Sequence, residues 1–265
     1  MRKTNFLKQK FESGTYTIGT FNQIPSSDVV NIIGCAGFDF VIIDAEHGPV
    51  GMEKAGDLVR AAESEGMSPI IRVSENDPAL ICRALDIGAH GVQIPLVSNK
   101  TQAEAAVRYA KYSPLGERGL CPFARSGLYS LKRALTYTVE ANENTLVVLN
   151  VEGVEGIARL EEIFEVKNVD IIFVGPYDLS LSLGKPGMVD DPEVVNYIRS
   201  CAKKIRDAGF VAGCFASSVD MMKMLIDCGY QYLAYSVDAP VMLQAFEQAE
   251  NTFRAHLETT TKINH

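Results

Sequence analysis

Eight short runs of Val, Ile and Leu recur along this chain, separated by longer stretches with the period of a helix, and this alternation constrains the fold more than any other feature. The runs are Tyr16–Asn22, Phe40–His47, Pro69–Val73, Gly91–Val97, Thr145–Glu152, Asp170–Val174, Val211–Ala216 and Tyr232–Val237. Most are continuously apolar rather than alternating, the pattern of parallel strands covered on both faces. The segments between them carry helix starts: Ser26 before Asp28, Asp77 before Pro78, Asp191 before Pro192 and Glu193, and Ser217 with Asp220 three residues on. Strand and helix alternating eight times predict an α/β protein of the (β/α)8 TIM-barrel type, a single domain over 1–265 with a polar tail from about 257. A doubly wound open sheet is the alternative. It would normally carry a glycine-rich phosphate loop after its first strand, and Phe21-Asn22-Gln23-Ile24-Pro25 is not one.

Composition excludes several classes of partner. A net charge of −8 argues against nucleic acid or an anionic membrane surface. No apolar run is long enough for a membrane span, and Arg2, Lys3, Lys8 and Lys10 are not followed by the apolar stretch of a signal peptide. The six cysteines are scattered without metal-binding spacing, which we read as reduced, buried thiols of a cytoplasmic protein. One stretch, Ser113–Ser130, breaks the rhythm. Its Leu115, Leu120, Phe123 and Leu128 predict an ordered loop packed on a neighbouring subunit.

In a barrel the strand ends carry the chemistry. Glu152 closes the run Leu146–Val151, and Asp178 follows Ile171–Gly175. Two carboxylates beside apolar strands are costly unless a cation or donors offset them. We therefore read them as ligands of a hard divalent metal ion, Mg2+ or Mn2+, with a buried pair of ion-paired acids as the plainer alternative. The turn Gly175-Pro176-Tyr177 offers backbone N–H groups to an anionic carboxylate. Of the four histidines, His47 alone falls on the catalytic face, within Asp44-Ala45-Glu46-His47. A neighbouring carboxylate that orients its ring makes it a candidate general base; the alternative is a loop anchor. His90 falls on the opposite face, His256 on the last helix and His265 in the tail. Arg72 ends an apolar strand and must meet an anion, either a substrate oxygen or the structural carboxylates of Asp44 or Glu46. Gln93 reads as a polar layer residue inside the barrel. No lysine stands well placed at a strand end for a Schiff base, Lys185 being a weak exception, and no nucleophile elbow is present.

Asp44-x-Glu46-His47, Arg72, Asp86-Ile87-Gly88-Ala89, Val151-Glu152-Gly153 and Gly175-Pro176-x-Asp178-Leu179-Ser180 together resemble the HpcH/HpaI family of metal-dependent pyruvate aldolases. That family includes 4-hydroxy-2-oxoheptanedioate and 2-dehydro-3-deoxyglucarate aldolases. The resemblance spans roughly Phe11 to Glu250. It implies a barrel whose last helix is exchanged between subunits, commonly in a homo-hexamer, and a lyase that splits a 4-hydroxy-2-oxo acid into pyruvate and an aldehyde. By resemblance, Glu152 and Asp178 hold the divalent ion (Co2+ being a third candidate, with no organic cofactor), and Arg72 contacts the pyruvyl oxygen. His47, oriented through Asp44 and Asp86, acts as acid and base through a water, and Arg125 reaches a neighbouring subunit's site. Asn150 stands where well-known bacterial members carry glutamine, and Tyr177 where they carry a small residue; both belong to the substrate pocket. The rival functions are a citrate-lyase-like acyl-CoA lyase, which needs a cationic groove, and a non-catalytic barrel that binds a 2-oxo acid.

Overall fold

A computed structural model describes residues 5–263; Arg2, Lys3 and His265 lie outside the described residues. Eight parallel strands close in chain order into a barrel, β1 to β8, with β8 returning to β1. They are β1 Thr17–Asn22, β2 Phe40–Asp44, β3 Ser68–Arg72, β4 Gly91–Ile94, β5 Leu146–Val151, β6 Ile171–Val174, β7 Val211–Ala216 and β8 Tyr232–Val237. Helix α1 (Phe6–Glu12) precedes them. The connections supply α2 (Ser27–Cys35), α3 (Met52–Ser64), α4 (Pro78–Asp86), α5 (Lys100–Ala110), α6 (Ala134–Asn144), α7 (Val154–Ala158), α8 (Leu160–Ile163), α9 (Pro176–Ser182), α10 (Pro192–Asp207) and α11 (Val219–Cys228). Helix α12 (Asp238–Ile263) follows β8. The expected TIM barrel is therefore the fold, in one domain. Helix α12 runs through the polar residues from about 257 to Ile263.

Strand alternation divides the core in two. Val41, Ile43, Ile71, Val92, Val147, Leu149, Ile172 and Val174 point outward and pack under the helices. Phe40, Ile42, Ile70, Leu146, Val148, Ile171, Phe173 and Tyr232 fill the interior. Leu7 of α1 joins that inner cluster and is fully buried, so the short N-terminal helix plugs the barrel floor. Phe40 stacks on Tyr232 at 4.1 Å between ring centroids. Gly19 makes room for that stack, because a Cβ there would stand 2.1 Å from the Phe40 ring. Gln93 is buried inside the barrel and accepts a hydrogen bond from the Tyr232 hydroxyl at 3.3 Å.

The caps are close to expectation. The side chains of Asp77 and Asp191 accept hydrogen bonds from the first turns of α4 and α10. The cap of α11 is Ser218, one residue beyond the expected Ser217, because its Oγ reaches the Met221 N–H at 3.1 Å. Ser26 caps α2 with its backbone alone. All six cysteines are free, but only Cys201 and Cys214 are buried, and Cys35 and Cys121 are exposed. No helix among the described residues is long and apolar enough to cross a membrane.

Candidate active site

The functional side chains stand where strands end at the C-terminal edge. Strand β2 stops at Asp44, whose register partner is Arg72. The chain then turns tightly, and a Cβ at Gly48 would meet the Asp44 carbonyl at 2.5 Å. Because the strand ends before Glu46, strand alternation does not govern where Glu46 and His47 point. Asp44 is fully buried and grips Arg72 through two hydrogen bonds, Nε to Oδ1 at 2.9 Å and Nη2 to Oδ2 at 2.7 Å. Gln23 Nε2 also donates to Asp44, at 2.8 Å. Burial pushes the Asp44 carboxyl up, but the Arg72 hydrogen bonds and charge, helped by Gln23, outweigh it and hold the group below the usual carboxylate range. Asp44 also accepts from the backbone N–H groups of Glu46 and His47. It thus shapes the turn that carries His47 through backbone N–H groups rather than through a hydrogen bond to the imidazole.

Arg72 Nη1 lies 2.9 Å from Glu46 Oε2. This is a charge contact rather than an aligned hydrogen bond, since that buried oxygen has no hydrogen-bond partner. The guanidinium also sits over the Phe21 ring, 4.6 Å from its centroid. The contacts are those of the structural ion pair, with Nε and Nη2 on Asp44 and Nη1 against Glu46.

Glu152 is 7% exposed. Its Oε1 accepts from Asn150 Nδ2 at 2.8 Å, and its Oε2 from the Leu96 backbone N–H at 3.1 Å. Leu96 has a φ of 56°, an uncommon conformation for a branched residue, and it aims this N–H into the site. Gly175 lets the Glu152 side chain cross the end of β6; a Cβ there would stand 2.9 Å from Glu152 Cγ. Burial raises the Glu152 carboxyl; Asn150 and Leu96 oppose this, the charges of Asp178 and Glu46 add to it, and the net shift is upward. Glu46 is likewise raised, first by burial and then by Asp44 and Asp178, against the opposing charges of Arg72 and His47. Three acids thus repel one another across the mouth. Unlike Glu152, Asp178 is exposed, in the first turn of α9. The Gly175-Pro176-Tyr177 turn is the start of that helix, and Pro176 contributes no N–H to it.

Among the described residues no group of three or more His, Cys, Asp or Glu side chains is arranged to hold an ion. The donor set nevertheless fits a hard cation that keeps most of its waters. Two carboxylates destabilise each other, and the buried Asn150 Oδ1 beside them has no hydrogen-bond partner.

Asp86 and Arg125 are not part of this cluster. Asp86 ends α4 at the opposite, N-terminal edge of the barrel, where it accepts from Arg118 at 2.6 Å and lies 3.4 Å from Ser126 Oγ. Arg125 pairs there with Glu63, which also meets His90 Nε2 at 3.1 Å. A cavity of about 550 Å3 opens at this edge, lined by Glu63, Ser68, His90 and Tyr137. None of the strand-end residues lines it, so chemistry rather than cavity size locates the site. In the Ser113–Ser130 loop, Leu115, Leu120, Phe123 and Leu128 are exposed. Sequence reasoning missed Gln23, Phe21 and Leu96. A polar residue just after β1 was a usable signal for Gln23, whereas Leu96 acts through its backbone and leaves no trace in the sequence.

The Glu63 cluster yields a stability prediction. Burial pushes the Glu63 carboxyl up, but the hydrogen bonds and charges of His90 and Arg125 prevail and hold it at about 2. Its folded pKa is below the unfolded value, so the stabilisation is present above the unfolded pKa of about 4.3 and lost as pH falls through about 2. Glu63→Gln is expected to lower stability at pH 7 by about 1–2 kcal/mol, allowing for partial exposure, and to flatten the acid limb of urea melts between pH 4 and about 2. An unchanged acid limb would refute the assignment.

Comparison with known proteins places the chain. The profile described as HpcH/HpaI aldolase/citrate lyase matches residues 17–245. A 2-dehydro-3,6-dideoxy-6-sulfogluconate aldolase of Pseudomonas putida is 33% identical over 226 residues, covering 85% of this chain and 88% of that protein. A pyruvate aldolase of Rhizobium etli is 33% identical over 243 residues, covering 92% and 95%. Among solved structures, an HpcH/HpaI aldolase/citrate lyase family protein from Burkholderia cenocepacia superposes with a TM-score of 0.89 at 30% identity, covering 95% of this chain and all of that one (100%).

Proposed function

The chain belongs to the HpcH/HpaI aldolase/citrate lyase family, and from that premise we propose that it reversibly cleaves a 4-hydroxy-2-oxo acid into pyruvate and an aldehyde. It is an aldolase, a carbon–carbon lyase whose homologues act on pyruvate-producing substrates. The observation that supports the residue-level reading is the pairing of the Arg72 guanidinium, fixed on Asp44, with the mutually repelling acids Glu152 and Asp178 on one barrel edge.

The family is in general divalent-metal dependent. Glu152 and Asp178 are the residues that would hold the ion (Mg2+, Mn2+ or Co2+), which when bound supplies Lewis acidity at the substrate's keto oxygen. Asn150 holds Glu152 in place through its amide N–H. Arg72, immobilised by Asp44, supports the negative charge that develops as the C3–C4 bond breaks towards the pyruvate enolate. His47 takes the proton of the 4-hydroxyl through a water, and the aldehyde leaves. Return of a proton to C3 gives pyruvate.

Asp86 and Arg125 stand at the edge opposite His47, so the roles that the resemblance gives them require a neighbouring copy of the chain. A homo-oligomer with an exchanged last helix, commonly a hexamer in the family, is consistent with α12, where Met242, Leu243, Phe246 and Phe253 are exposed. The six unpaired cysteines favour a cytoplasmic protein.

The test is proton NMR of pyruvate in D2O with purified protein, with Mg2+ or dilute Mn2+ and then with EDTA. The methyl resonance is expected to fade only with enzyme and metal together. No exchange from folded protein with any metal would favour the acyl-CoA lyase or the binding barrel. His47→Ala is expected to retain methyl exchange while losing about 10²–10⁴ in retro-aldol turnover, because it serves the 4-hydroxyl rather than the enolate.

A further inference from the structure

An aromatic row climbs through the mouth of this site, and what it could face follows from its position. The Arg72 guanidinium sits over Phe21. Phe21 packs on Phe215 at 5.9 Å between ring centroids. Phe215 meets Tyr177 edge-on at 5.5 Å and 64°. Exposure rises along the row, from 5% at Phe21 through half-buried Phe215 to 48% at Tyr177. The row therefore begins at Arg72, paired with Asp44 and Glu46, and ends at the residue beside Asp178. Leu96, tied by its N–H to Glu152, leaves its own side chain 65% exposed at the same mouth.

The polar side chains nearby are engaged in part, while Asn150 Oδ1 and Glu46 Oε2, beside Glu152 and Arg72, have no hydrogen-bond partner. The Gln23 amide donates to Asp44, the Asn150 amide donates to Glu152, and Glu46 lies against Arg72. The Tyr177 hydroxyl makes no hydrogen bond among the described residues, and the Phe215 contact holds its ring in place. A polyol aldehyde lying along the row from Phe21 to Tyr177 and over Leu96 would give up water at its hydroxyls against apolar faces, which is unfavourable without replacement partners. An aryl group would meet rings arranged for edge-to-face or offset packing.

We propose that the aldehyde half of the site takes an aldehyde with an aryl or comparably broad apolar face, packed on Tyr177, in preference to a polyol aldehyde. This rests on the aldolase reading above. In the condensation direction pyruvate C3 gives a proton to solvent, its electron pair forms the bond to the aldehyde carbon, and the aldehyde oxygen gains a proton; no oxidant is needed.

The experiment compares benzaldehyde with D-glyceraldehyde as acceptors for pyruvate, using the full chain with Mg2+ or Mn2+, as wild type, Tyr177→Phe and Tyr177→Ala. Wild-type kcat/KM is expected to favour benzaldehyde by about tenfold or more; Tyr177→Ala is expected to lose about fivefold or more on benzaldehyde beyond its loss on glyceraldehyde, so that the preference collapses. Tyr177→Phe keeps the ring and should keep the preference for benzaldehyde over glyceraldehyde. A preference for glyceraldehyde, equal losses on both acceptors in Tyr177→Ala, or a loss of preference in Tyr177→Phe matching that of the alanine variant would each overturn the proposal. Pyruvate methyl exchange measured on the same samples separates the two levels. Intact exchange without an aryl preference sinks this inference alone, and absent exchange in folded wild type sinks the aldolase reading and this inference with it.

Discussion

Arg72→Met is expected to destabilise the protein by about 3–5 kcal/mol, because it leaves the fully buried Asp44 carboxylate without its counter-charge. Arg72→Lys separates that structural loss from the catalytic one. A lysine keeps a positive charge near Asp44 but cannot reproduce the two parallel hydrogen bonds at 2.9 and 2.7 Å. The lysine variant is therefore expected to fold with a smaller loss of stability and to turn over about 10²–10³ times more slowly, if the fork supports the enolate charge. Urea melts and steady-state kinetics check both halves. A rise in KM with kcat unchanged would show that Arg72 only binds substrate. A methionine variant as stable as wild type would show that Asp44 takes up a proton or finds another partner.

Glu152→Gln is expected to act in opposite directions on metal and on stability. The glutamine is close to isosteric, and its carbonyl can keep one of the two acceptor contacts, to Asn150 or to the Leu96 N–H, while its NH2 faces the other donor; it also removes one of two anionic oxygen donors. Titration calorimetry with Mn2+ is expected to show affinity falling by about tenfold or more, since hard cations depend on ligand charge. The metal-free protein is expected to gain about 1 kcal/mol in thermal melts at pH 7, because the buried carboxylate is raised by burial and by Asp178 and Glu46, and neutralising it relieves that unfavourable charge. Unchanged Mn2+ affinity would move the ion site away from Glu152. A less stable metal-free protein would show that the Leu96 and Asn150 donors already compensate its charge.

The positions of these residues were readable to different depths. All eight strands appear as apolar runs, because strands of a closed parallel barrel are covered on both faces and need Val, Ile and Leu throughout. Strand ends were readable as the points where such a run meets a charged or polar residue, which located Arg72, Glu152 and Asp178. Boundaries were less certain. β2 was expected to reach His47 but stops at Asp44, the last residue in register with β3, after which the chain turns at Gly48. Helix α1 was not foreseen, because one buried leucine in a seven-residue helix leaves no period to detect.

The amino-acid order by itself determined the barrel, its edge of chemistry and the charge types gathered there, since burial acts on each residue locally and prints its period on the chain. Only the tertiary structure decided who partners whom. Closure set Asp44 on Arg72 rather than on the His47 ring, brought the Leu96 N–H to Glu152, ran an aromatic row from Phe21 to Tyr177, and carried Asp86 and Arg125 to the opposite edge. Those contacts join residues far apart in the chain. Their energies depend on distances and angles of an ångström or so, which the packing of the whole barrel sets and no local pattern encodes.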